Sequence, residues 1–319
     1  MVELCNAERL GWAVLTILTA FVAATPSRLY SIFLHGKLRP GASSTSEAGF
    51  PLRWLKVEVP KRLFSHFYFF CLVSSALVFI DTIFYGGSLF VGSVQGKSVC
   101  SRVAGRSTQV LELGVESLLC LLLLNLHAAR RLWECVMVSS WGSSRMSLAG
   151  YVAGIVHYQL MVFTVLVEAP PLGLLAEEVW SRSSGGASDM VLALATSVKL
   201  RHAVAMGLFI IGFVRQHEAI RHLASLKRNV GTKATKYAIP TAGWFRYVSC
   251  PHYFAELLVY GSFVLLGSFK GRGLGQGYLV AFAWVFANQA LVAGWVQAWY
   301  QQKFEDYPRD RRRLIPGLW

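Results

Sequence analysis

Ionised side chains are scarce in this chain. Only 15% of its 319 residues are Asp, Glu, Lys or Arg, and the acidic ones are scarcer still, 17 against 31 basic, for a formal charge of +14. So few charges exclude an ordinary water-soluble domain of this length. The six cysteines include no Cys-x-x-Cys pair, which excludes a zinc centre of the usual spacing, and no metal is expected. Cys71, Cys120 and Cys135 lie in or beside apolar runs, where reduced packing residues are expected. No Asn-x-Ser/Thr acceptor exists, so glycosylation marks neither face. Glu3 and Glu8 flank the first apolar run where a secretory leader needs positive charge, and none is expected. A basic face interleaved with exposed aromatics is also missing, so nucleic acid is not an expected partner.

Apolar residues dominate instead, at 54% with a mean hydropathy of +0.45. Runs able to cross roughly 30 Å of hydrocarbon occur near Leu10 to Ala24, Phe67 to Phe84, Val110 to Leu126, Leu148 to Val167, Leu200 to Val214, Phe254 to Phe269 and Tyr278 to Trp299. The expected fold is an all-α, polytopic integral membrane protein with seven transmembrane helices. Of the 31 Lys and Arg, 22 fall in the connections after spans one, three and five and in the C-terminal tail. The positive-inside rule then puts the N-terminus in the lumen and the C-terminus in the cytosol. Such basic loops also follow from topology beside anionic lipid alone. Pro40 to Phe50 is the one linker-like stretch and separates no soluble core, so 1–319 reads as a single membrane-embedded domain. Gly92 to Ser98 has one residue too few between its glycines for a phosphate loop, and Gly271 to Gly277 precedes a membrane helix and reads as a turn.

Polar residues gather beside the spans. Glu58 sits just before Pro60-Lys61-Arg62 at the predicted cytosolic boundary, with Trp54 on the same side if the stretch is helical. A partly desolvated carboxyl there could stay protonated and donate to a carbonyl; pairing with Lys61 or Arg62 is the plain structural alternative. His127, Arg130, Arg131 and Glu134 follow the third span, with Arg130 and Glu134 spaced to pair. His127 either packs or faces an internal cavity. Pro251 suits a helix start, which puts His252 in the first turn with Glu256 four residues on and aims free N–H groups at the cytosol. Gln216 to Arg228 continue the fifth span as a polar helix. The basic tail interleaves its charges with Phe304, Tyr307, Leu314, Ile315 and Pro316, which suggests that it folds back.

At these residues the chain resembles the steroid 5α-reductase family. The resemblance rests on Tyr247-Val248-Ser249-Cys250-Pro251-His252-Tyr253, Ala255-Glu256, Tyr300, Lys303-Phe304-Glu305-Asp306-Tyr307-Pro308, Arg311 and Leu314-Ile315-Pro316. Within it, Val59-Pro60-Lys61-Arg62, Ser65-His66-Phe67-Tyr68, Arg130 to Cys135 and Asn288-Gln289-Ala290 are similar to the polyprenol (polyprenal) reductase branch, which makes dolichol-type lipids for protein glycosylation. The resemblance implies NADPH held from the cytosolic side by His252, Glu256, Tyr300, Tyr307 and Arg311, with Gln216, Lys227, Arg228 and Tyr237 as further members. It also implies an isoprenoid lipid admitted from the bilayer against Trp54 and Glu58, and a place in the endoplasmic reticulum membrane. No obligate protein partner is evident. Two positions depart from the family: Ala128 replaces the tyrosine that partners the acid in steroid-reducing relatives, and Gln297 replaces a histidine of the polyprenol branch.

Hydride adds to a carbon–carbon double bond readily only where a conjugated carbonyl withdraws electron density. An allylic alcohol has no such pull, so the expected substrate is the α,β-unsaturated aldehyde, with Glu58 polarising its oxygen and His127 standing in for the missing tyrosine. Other reductases of the family, acting on steroids or enoyl thioesters, are the nearer alternative, with Ala128 counting against the steroid case. A membrane methyltransferase is a second enzyme class. A transporter fits less well, because the polar residues collect at one membrane face and not at a midplane site.

Overall fold

The computed structural model of the chain describes residues 9–17, 57–85, 107–168, 196, 198–229, 237–267 and 276–319. Its helices are α1 (9–17), α2 (Phe64–Tyr85), α3 (Ser107–Trp133), α4 (Leu148–Glu168), α5 (Leu200–Asn229), α6 (Pro251–Gly267) and α7 (Gln276–Lys303). Wherever an apolar run of the sequence is described, it is helical. Among the described residues, α4, the Leu200–Arg228 part of α5, and α7 are long and apolar enough to cross a membrane.

Burial is distributed as lipid requires. Leu77, Ile80, Leu118, Leu122, Ile210, Ile211 and Leu279 point outward, while Glu116, His127, Glu134, His157, Gln216 and Gln297 are buried. Polar groups inside and aliphatic groups outside invert the soluble pattern, and satisfy in the interior what hydrocarbon cannot. Trp12, Leu124, Met161, Tyr260, Phe263 and Leu266 fill the core.

The all-α expectation needs one correction. Residues Glu58–Pro60 form a strand, β1, paired antiparallel with β2 (Arg145–Ser147), in register Glu58 to Ser147 and Val59 to Met146. The cause is local: Val57 and Val59 are β-branched, and Pro60 disfavours helical backbone in the residue before it. Glu58 therefore projects from an extended segment, not from the helix face that would have shared it with Trp54. Trp54 itself, like Pro40 to Phe50 and Gly92 to Ser98, lies outside the described residues.

Two helix ends prepare the polar end of the bundle. After Trp133, α3 widens into a π-helical segment, Glu134–Val138, closed by Ser139 N donating to Glu134 O at 2.8 Å. Such wide turns often mark functional positions. Pro251 opens α6, fixing its own φ and supplying no N–H where none is needed. Helix α6 lies along α5 so closely that a Cβ on Gly212 would sit 2.6 Å from the Ala255 carbonyl oxygen and 3.0 Å from Val259 N. Gly212→Ala is expected to lower stability by about 1–3 kcal/mol through overpacking. Thermal unfolding in detergent checks this, with Gly207→Ala, which meets no neighbour within 4 Å, as the unchanged control.

Candidate active site

The C-terminal part of α3, the middle of α5 and the start of α6 share one buried charge network. Glu134, with no exposed side-chain surface, accepts from Arg130 Nη1 at 2.9 Å, from Arg131, and from His217 Nδ1 at 2.7 Å. The Arg130 to Glu134 pairing expected from spacing is present. Arg130 also donates to Gln216 Oε1 and lies 4.2 Å from the Phe213 ring centroid. Gln216 turns its amide the other way, donating to Glu256 Oε2 and, at 3.4 Å, to the His252 carbonyl. On α6, Glu256 Oε1 lies 3.4 Å from His127 Nε2. Arg131 Nε donates to the Tyr68 hydroxyl at 3.2 Å, extending the network to α2. Two guanidinium-to-carboxylate ion pairs in a water-poor place hold these helices in one arrangement, since Glu134 or either arginine left alone would be a buried unpaired charge.

Burial by itself would raise the Glu134 carboxyl, but Arg131, Arg130 and the His217 hydrogen bond outweigh it and hold the group below the usual carboxylate range. Cys135, next in the chain, is pushed up to about 11 by burial, so its thiol stays protonated.

The tail folds back beside this network, as the interleaved apolar residues suggested. Ser249 N donates to Arg312 O at 2.8 Å and Arg312 N to Tyr247 O at 3.0 Å, which pins the tail to the segment leading into α6. Tyr300 stacks on Tyr307 with centroids 5.1 Å apart and planes 6° off parallel. The Tyr307 hydroxyl donates to Ser249 Oγ at 2.8 Å, and Arg311 Nη1 reaches the Pro240 carbonyl at 3.0 Å. Gln297 donates to the Arg311 carbonyl at 2.6 Å and accepts from Arg313 Nε at 3.1 Å, so this departure from the family pattern is a tail fastener here.

The structure thus brings Gln216, Glu256, His127 and the His252 carbonyl into one network, and Tyr300, Tyr307 and Arg311 into the adjoining one. The His252 ring packs on Tyr253, 4.1 Å between centroids. Lys227 donates to the Ser140 carbonyl, Arg228 is exposed, and half-exposed Tyr237 sets its ring edge-on to Trp299 at 4.9 Å. Glu58 is salt-bridged to Arg145, Oε2 to Nε 3.1 Å, with its side chain 27% exposed. Arg145 binds the Glu58 backbone carbonyl as well, at 2.8 Å. Lys61, pulled down to about 8 by burial with the Lys227 charge adding to it, lies beside the same loop: its N–H donates to Ser144 O at 2.9 Å. Spacing pairs Arg130 with Glu134 within one helix and leaves Arg131 beside that pair. The reach of Arg131 to Tyr68 and of Glu134 to His217 depends on helix rotation, which spacing does not disclose.

A profile of the family described as 3-oxo-5-alpha-steroid 4-dehydrogenase matches residues 189–319, the part that contains α5 to the tail. Over 324 aligned residues the chain is 30% identical to a polyprenal reductase of Homo sapiens, covering 98% of this chain and 96% of that one. It is 29% identical to a polyprenal reductase of Caenorhabditis elegans (82% and 80% covered). Against polyprenal reductase 1 of Arabidopsis thaliana it is 28% identical (83% and 82%). With near-complete coverage of both chains, and with the shared motifs gathered at one end of the bundle, the chain belongs to the steroid 5α-reductase family, as a member of its polyprenal reductase branch.

Proposed function

We propose that this protein reduces the α-isoprene double bond of polyprenal with NADPH, yielding the α-saturated aldehyde from which the dolichol-type lipid of protein N-glycosylation is made. It would act from the endoplasmic reticulum membrane with seven crossings, the N-terminus lumenal and the C-terminus cytosolic. The observation that carries the reading is the convergence of polar groups from α3, α5 and the folded tail on one segment, Ser249 to Glu256, which leads into α6 and forms its first turns.

The residues present suit a dinucleotide. Arg311 is buried, and its Nε has no hydrogen-bond partner among the described residues, an orphan that a phosphate or ribose oxygen would satisfy. The first turn of α6 presents its dipole to the same region. Lys61 and Lys227, flanking one loop and repelling each other, favour an anion between them. In this reading Arg311, Tyr307, Tyr300, His252, Glu256, Gln216, Lys227, Arg228 and Tyr237 form the nucleotide shell. When bound, NADPH supplies a hydride to the β carbon of the enal. The chain's part is alignment and field: Glu256 and Gln216 fix the floor of the nucleotide site, and the lipid keeps water out. Glu58 is proposed at the substrate end, with Trp54. Bound to Arg145, its carboxylate is an acceptor that orders β1 and β2 at the mouth, and a protonated form requires that pair to open.

NADPH titration and steady-state reduction of polyprenal test the assignment together. His252→Ala is expected to weaken NADPH binding by about tenfold, the size of one lost charge-assisted contact. Glu58→Gln is expected to lower turnover with NADPH affinity unchanged. The reverse pattern removes each residue from the site proposed for it.

A further inference from the structure

Helix α6 carries a third polar residue on the face of His252 and Glu256. Tyr260 is one turn further into the bundle, about 6 Å along the axis. It is 2% exposed, and its hydroxyl meets His157 Nε2 of α4 at 2.5 Å. A phenol is the better donor and an imidazole nitrogen the better acceptor, so Tyr260 donates to Nε2. The ring proton of neutral His157 then sits on Nδ1.

That Nδ1 is buried and has no hydrogen-bond partner among the described residues. The same holds for the indole Nε1 of Trp284 on α7, whose ring lies against His157 with centroids 4.6 Å apart and planes 30° from parallel. Trp12 of α1 closes the group, 5.3 Å from His157 and 5.8 Å from Trp284, but its own N–H is taken by Thr164 Oγ1 at 3.1 Å. Two N–H donors on touching rings, walled by aromatics in the membrane interior, form a site that wants an oxygen acceptor carried on an apolar body. Water-accessible polar ligands have no reason to travel there; a lipid carbonyl does.

We propose that His157 Nδ1–H and Trp284 Nε1–H, in place of Glu58, form the oxyanion hole for the aldehyde oxygen of the lipid substrate, and that Tyr260 is a positioning residue that fixes the His157 tautomer; Glu58 then stays with β1 at the mouth. The proposal rests on the reduction reading and deepens it. A new C–H bond forms at the β carbon with the hydride released from the C–H bond of the reduced nicotinamide; the alkene pair becomes the bond between the α carbon and the carbonyl carbon, the carbonyl pair moves onto oxygen, and the two N–H groups receive the enolate charge. A solvent proton then adds to the α carbon and the carbonyl reforms, so one NADPH and one proton are consumed per double bond. The site lies one turn inward of Glu256, next to the proposed nucleotide shell. Neither donor is among the residues that the family motifs nominate.

Trp284→Phe keeps the ring and removes only the N–H. With purified protein, NADPH and a short α,β-unsaturated isoprenoid aldehyde, it is expected to lower kcat by about 10²-fold, with KM and NADPH affinity within about twofold. His157→Phe should do the same where it folds. Tyr260→Phe should give a smaller fall. The infrared carbonyl band of the bound aldehyde adds a readout independent of turnover: it should lie lower in the native protein than in Trp284→Phe. Native kcat in Trp284→Phe, or an unshifted band, overturns the donor pair even when reduction is confirmed. A band that shifts in a native protein unable to reduce the aldehyde overturns the reduction reading and keeps the pair. Neither binding nor reduction overturns both.

Discussion

Glu134→Ala is expected to cost about 3–5 kcal/mol of stability, because it strands two guanidinium groups in a buried place. The carboxylate is the common acceptor for Arg130, Arg131 and His217, and it has no exposed surface of its own. Thermal unfolding in detergent should show a drop far beyond that of truncating an exposed neighbour such as Met137. Glu134→Gln separates charge from shape, keeping an acceptor oxygen but losing the ion pairs. Acid should act through the same group. A carboxyl held low in the fold stabilises fully above its unfolded value, near 4.5, and the stabilisation is lost as pH falls through the lower folded value. The native protein should therefore lose stability between those two values, and the Gln variant should show a flatter profile there. Equal acid sensitivity in both would assign the loss to other carboxylates.

Glu256→Ala should combine a loss of stability with a loss of nucleotide affinity. Its removal leaves the Gln216 amide with only the long contact to the His252 carbonyl, and His127 without the carboxylate 3.4 Å away. Unsatisfied buried groups of this kind cost about 1–3 kcal/mol each. NADPH affinity should fall by at least tenfold, because the floor of the proposed site is free to rearrange. Glu256→Gln is the control: an amide can still accept from Gln216, so its fold should largely recover. Unchanged NADPH affinity in the Ala variant would show that Glu256 braces the helices and nothing more.

The helices were legible because hydrocarbon imposes a length and a composition that few other environments demand, and every described apolar run from Phe67 onward is helical. The start of α6 was legible for a different reason: Pro251 cannot sit inside a helix, and it can begin one. The return of the tail was readable from Tyr307 and Leu314, which would be poor choices on a solvated arm and are buried. Glu58 was harder. Its strand exists because residues 145–147, nearly ninety positions away, supply the pairing edge, and Arg145 then claims its carboxylate. His157 and Tyr260 show the same limit, since 103 residues separate them and only the rotation of two helices decides whether they meet. Yet half of that contact was visible: His252, Glu256 and Tyr260 recur every fourth residue, so one face of α6 was polar from end to middle.

The closeness of α5 and α6 at Gly212 has a mechanical corollary. Two backbones in direct apposition cannot hinge apart without breaking the contact along their length, so this pair behaves as the fixed jaw of a clamp. The opposing jaw is the returning tail, fastened by two main-chain hydrogen bonds and by Gln297. With a nucleotide held at the proposed site, its exchange would proceed by unlatching that tail, and the tightness of those bonds would set how often the clamp reloads.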